Sequence, residues 1–65
     1  MRIYYRKVRD RVNLFVAHKK QTDLKGKQYY VGTHIRWDNG YDDPASFHNT
    51  PFNIDWLDDT WERIL

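Results

Sequence analysis

At 65 residues and with no Cys, the chain has room for one domain and no access to disulfide staples or thiolate zinc sites. The formal net charge of +2 excludes a uniformly basic nucleic-acid binder. No apolar run approaches the ~18 residues of a membrane span, and the Met1–Lys7 stretch is not a signal peptide.

That small net charge conceals a division. Met1–Arg36 holds ten Lys or Arg against Asp10 and Asp23, a formal +8. Trp37–Leu65 holds Arg63 alone against seven acids, a formal −6. A domain of this size buries only about 60% of its unfolded surface, so each side chain in the core must cover much area. Three Trp, five Tyr and three Phe supply that area.

Arg2–Val8 mixes Ile3, Tyr5 and Val8 with basic residues and has strong β propensity. Arg9-Asp10-Arg11 predicts a turn. Val12, Leu14 and Val16 then alternate with the period of a half-buried strand. Gln21–Lys27, with Asp23 and Gly26, predicts the next turn. Gln28–Trp37 is the clearest strand, with Tyr29, Val31, Thr33, Ile35 and Trp37 on one face. Asp38-Asn39-Gly40 is a hairpin signal, because Asn and Gly tolerate positive φ. Tyr41 opens a short fourth strand that Pro44 limits. Residues 44–53 are expected to be loop.

Residues 54–65 are expected to form an acidic helix. Asp55 is one candidate N-cap and Asn53 the other. Ile54, Leu57, Trp61, Ile64 and Leu65 share one side, with Asp58, Asp59 and Glu62 opposite and Trp56 beside the stripe. Asp59 and Arg63 make an i,i+4 pair worth about 0.3 kcal/mol.

The expected fold class is α+β. A small antiparallel sheet of three to four strands (the basic part, residues 1–43) carries one C-terminal helix packed on one face. The helix is expected over Ile3, Val12, Leu14, Val16, Tyr29, Val31, Ile35 and Trp37, making two layers around one core. The alternative is an SH3-like barrel with the same C-terminal helix. Tyr29-Tyr30-Val31-Gly32-Thr33-His34-Ile35, followed by Trp37-Asp38-Asn39-Gly40-Tyr41, resembles pieces of Tudor-like modules over about a fifth of the chain. Those modules place the two pieces on separate strands, whereas one strand runs through both here. The resemblance implies a small β module and carries no aromatic cage with it.

If the helix covers that face, Tyr4, Arg6, Phe15, Tyr30, His34 and Arg36 point outward, beside turns bearing Lys19, Lys20, Lys25 and Lys27. Rings among cations suit bases and phosphates, and equally suit a protein hot spot, where Tyr, Trp and Arg are enriched. The second candidate surface is Trp56 with Asp58, Asp59 and Glu62, which could dock on a partner's basic site. The scattered His18, His34 and His48 lack ligand spacing, so no metal site, cofactor or catalytic residue is expected.

These features predict a non-enzymatic protein-binding regulator or inhibitor that occludes a partner's working surface. It reads as a complete small cytoplasmic gene product of the kind bacteriophages encode. A nucleic-acid-binding module using the basic, aromatic-rich sheet face is the alternative. The expected partner is a larger protein, with nucleic acid second and self-association through opposite charged poles third; no membrane partner is expected.

Overall fold

The computed structural model describes residues 1–38 and 43–65. Arg2–Val8 (β1) pairs antiparallel with Arg11–Thr22 (β2), placing Ile3 opposite Val16 and Tyr5 opposite Leu14. Arg9 closes this hairpin at a φ of 55°. β2 turns at Asp23–Lys27 into Gln28–Trp37 (β3), with Leu14 opposite Ile35 and Val12 opposite Trp37. Ala45–Asn53 (β4) adds to the outer edge of β3. A helix, Ile54–Thr60 (α1), then leads into Glu62–Arg63 (β5), which pairs with β1. The described residues form one open antiparallel sheet in the order β4-β3-β2-β1-β5. The α+β class holds. The sheet has five strands, not three or four, and the barrel alternative fails because its outer strands, β4 and β5, lie at opposite edges.

Residues 44–53, expected as loop, are strand. Pro51 lies within β4 opposite Val31, which an edge strand tolerates because its outward backbone groups need no partner. Asn49, at a φ of 55°, marks the irregularity where the β3–β4 register shifts between Gly32 and His34. The expected Asn39-Gly40 turn and the Tyr41 strand lie outside the described residues.

The helix is shorter than its pattern predicted. Asn53 is the N-cap, its side chain accepting from the Trp56 N–H at 3.1 Å. Asp55 in the first turn suits the positive end of the helix dipole. The chain leaves the helix at Trp61, which is extended at φ −111° and ψ 155°. Beyond it, Glu62 and Arg63 pair with Tyr5 and Tyr4, and the Ile64 N–H donates to the Ile3 carbonyl at 2.9 Å. The free edge of β1 thus offers these residues hydrogen bonds that a longer helix would forgo. Arg63 lies outside the helix, and its Nε donates to the Leu65 carbonyl instead of meeting Asp59.

The core is built from rings. Tyr4, Phe15, Ala17, Leu57 and Trp61 are buried, with Tyr30 and Phe52 packed against them. The helix therefore covers the face carrying Tyr4, Phe15 and Tyr30, the reverse of the face expected from the sequence. Strand alternation is correct, but the assignment of its two sides is inverted. Ala17 and Gly32 sit opposite each other on the covered face, where the β2 backbone at Val16 and Ala17 closes on Gly32. A β-bulge between Ala17 and Lys19 shifts the β2 register against β3.

Gly32 is required for that approach. A Cβ there would collide with the Val16 carbonyl oxygen and lie 3.0 Å from the Ala17 Cα. Both are backbone atoms, so no side-chain rotation relieves the clash. Gly26, at φ 82°, has open space around its missing Cβ, so its requirement is conformational only. Urea unfolding should separate the two cases. Gly26→Ala is expected to cost about 1–2 kcal/mol. Gly32→Ala should remove most of the stability of a domain this small, on the order of 3–10 kcal/mol in total.

Candidate functional site

With α1 on the aromatic side, the opposite sheet face is left uncovered. Three cross-strand rows run over it: Ile3–Val16–Thr33, Tyr5–Leu14–Ile35, and Lys7–Val12–Trp37. Glu62 extends the middle row past Tyr5, and Ser46 extends it past Ile35. The apolar members are half-buried by one another and by their strands, with no layer above them among the described residues. Tyr5, Val12, Leu14 and Trp37 border a shallow depression of about 330 Å³. This face holds at least as many large apolar side chains as the closed core.

Its margin is polar. Thr33 Oγ1 lies 3.1 Å from His18 Nε2 and 3.3 Å from His48 Nδ1, bridging β2 to β4. At the other end, Arg11 and Arg36 reach Asp38 at 3.2 and 3.3 Å. Lys7 and Arg9 are exposed at this end, and Lys19, opposite Val31, is exposed at the Thr33 end. Asp55, Asp58 and Asp59 belong to the helix layer on the far side of the sheet.

The residues expected to form an outward aromatic platform are largely enclosed. Tyr4 and Phe15 have no exposed surface. Tyr30 packs against the core, with its ring 6.3 Å from that of Tyr4 and the Arg2 guanidinium 5.6 Å above it. Arg6 sits over Trp56 at 5.9 Å, and Arg36 over Phe47 at 5.5 Å. These arginines edge the closed layer by stacking on rings, so charge at their positions did not mark an open face. The Tyr4 phenol is pushed above its ordinary value, chiefly by burial, with Arg2 opposing and Asp58 adding to the rise. Its hydroxyl donates to Asp58 at 3.4 Å.

Of the second candidate surface, Trp56 is 40% exposed and packs edge-on against Phe52 and Trp61. Asp58 and Asp59 are exposed on α1. Glu62 lies on β5 and not on the helix, so the three acids do not form a single helical strip. Tyr5, Val12, Leu14, Ile35 and Trp37 were missing from the candidate site. Their alternation was visible, but it matches a core face as well as an open one. Among the described residues no three His, Asp or Glu converge as a metal-ligand set, and no helix is long and apolar enough to cross a membrane.

No family model matches the chain, and neither a curated protein nor a solved structure matches it. The reading of the site therefore rests on its geometry.

His34 links the two hairpins within the covered layer. Its Nε2 lies 2.9 Å from Asn13 Oδ1, while Asn13 Nδ2 donates to the Arg6 carbonyl at 3.3 Å. That second bond fixes the amide so that Oδ1 accepts from a protonated Nε2. The ring lies 5.5 Å from Phe52 and 5.8 Å from Trp61. Burial, then the Arg36 charge, lowers the His34 pKa from 6.5. The unfolded chain thus takes up this proton first as pH falls, and the fold loses stability below about pH 6.5. Thermal melts between pH 7.5 and 5.5 should show a falling Tm. His34→Gln, which keeps a donor to Asn13, should flatten that fall.

Proposed function

We propose that the chain is a small non-enzymatic protein-binding module, a regulator or inhibitor that occludes a partner's working surface through its uncovered sheet face. The observation that carries this reading is the block of Tyr5, Val12, Leu14, Ile35 and Trp37 aligned across three strands, with no layer above it among the described residues. Contiguous apolar surface of this kind, bounded by polar groups, marks an association site. Tyr and Trp are the side chains that most often dominate binding energy.

The occupant is a larger protein presenting an apolar projection within an acidic rim. The depression beside Leu14 receives the projection, and Lys7, Arg9 and Lys19 meet the rim. A second copy of the chain fits less well, because face-to-face stacking would set the same cations against each other. The acidic helix remains on the outer side of the complex, where Trp56 and Asp59 are open to water.

A stoichiometric complex isolated with the tagged wild-type chain is expected to survive Asp59→Asn on the helix layer. Trp37→Ala should weaken it about 30-fold, a loss typical of a hot-spot residue, and Leu14→Arg should abolish it. Circular dichroism of each variant checks that the fold persists. A complex indifferent to Leu14→Arg, or a chain that dimerises through this face in sedimentation, would overturn the proposal.

A further inference from the structure

Both strands that flank β3 are irregular beside Thr33. On β2, Ala17 stands opposite Gly32 and Lys19 opposite Val31, so His18 is the extra residue of a bulge. On β4, Thr50 stands opposite Gly32 and Phe47 opposite His34, so His48 and Asn49 together face Thr33. Asn49 absorbs this second irregularity at a φ of 55°. A bulge re-aims the side chains beside it. Here the two bulges bring His18 and His48 to one point from opposite sides of β3. Two histidines that stand far apart in the sequence thus meet across three strands, where their spacing carried no ligand signal.

The point where they meet is the Thr33 hydroxyl. His18 Nε2 lies 3.1 Å from Thr33 Oγ1, and His48 Nδ1 lies 3.3 Å from it. The hydroxyl has one proton, so it can donate to only one of the two imidazoles and must accept from the other. Both rings are exposed, and Thr33 is half-buried. Bonds of this kind, which water also offers, contribute little and are easily exchanged. The third histidine is different: His34 is held in the covered layer by Asn13.

Two imidazole nitrogens aimed at one place form a chelate. A zinc–imidazole bond is about 2.0–2.1 Å long, so a shift of about 1 Å in each exposed ring lets both nitrogens hold one ion beside the hydroxyl. The donor set selects the metal. No third His, Asp or Glu joins the pair among the described residues, and magnesium and calcium need several oxygen ligands. Imidazole instead suits zinc, copper and nickel. We propose that His18 and His48 bind one divalent transition-metal ion, zinc or a metal of the same imidazole preference, with water filling the positions the protein leaves open. The ion clamps β2 to β4 over β3 at the margin of the uncovered face. It does not depend on the partner assigned to that face.

The test is calorimetric titration of zinc chloride into the untagged chain, since a histidine tag would bind the metal itself. One zinc per chain is expected. His18→Gln and His48→Gln should each weaken binding more than about tenfold, and Thr33→Val, which removes the hydroxyl between the rings, about tenfold. His34→Gln should bind as the wild type does. Zinc should also raise the Tm of the wild type, because the ion binds the folded chain, and leave that of His18→Gln/His48→Gln unchanged. Circular dichroism verifies the fold of each variant. The proposal is overturned by absence of saturable binding or by equal binding of the double variant. One zinc per two chains would overturn it too, by placing the site between copies. The protein complex of the uncovered face is scored with a chelator present, so the two readings fail separately.

Discussion

A single seven-residue helix must serve a sheet of five strands. Such a helix is about 10 Å long, while five strands span roughly 19 Å. The helix cannot cover even one face with its own backbone, and the shortfall is met by rings. Phe52 packs at tilted or edge-on angles against Phe15 at 4.8 Å, Trp56 at 5.2 Å and Trp61 at 5.8 Å, with His34 closing the cluster. Each large ring covers area that a longer helix would have covered with aliphatic groups. The aromatic excess is therefore the consequence of a short covering element. It also explains why the aliphatic rows remain on the other side.

This arrangement shows where sequence reasoning succeeds and where it stops. β propensity located Arg2–Val8, alternation located Val12–Val16 and Gln28–Trp37, and polar clusters located the turns at Arg9 and Asp23, because those signals are local. The choice of covered face is not local. Tyr4, Phe15 and Tyr30 alternate with Arg2, Arg6 and Arg36 on the same side, and a cation in the pattern reads as water-facing. Arginine can instead stack its guanidinium on a ring and keep its end wet at the margin of the core. One available signal was Ala17 and Gly32, small residues on a face of rings, which mark close approach. The end of α1 was hidden for a similar reason. Ile64 and Leu65 fit the helical stripe, but the open edge of β1 takes Glu62 and Arg63 as strand and holds Ile64 and Leu65 by backbone hydrogen bonds to Ile3.

The division of charge between the chain's halves does not follow the layers. The basic half forms β1 to β3, and the acidic half supplies β4, the helix and β5. β4 and β5 lie in the sheet, and Glu62 stands opposite Tyr5 on the open face. Arg2, Arg6 and Arg36 edge the helix layer over Tyr30, Trp56 and Phe47. Exposed pairs of opposite charge contribute only about 0–1 kcal/mol each, so charge does little to hold the layers together.

The edges of the sheet sharpen the argument about its face. Exposed strand edges are the usual route by which sheets join one another. Here one edge is β4, interrupted by Pro51 and by the irregularity at Asn49, and the other is the two-residue β5. Both are blunted against strand addition. The apolar rows centred on Leu14 have no comparable protection: Lys7 and Glu62 stand at their ends, and no charge stands among them. A ligand that covers this face would bury apolar area comparable to the closed core, and it binds only the folded chain. Under the proposed function, binding and folding stability are coupled, and a partner on this face would complete the second layer that the chain's single short helix leaves unmade.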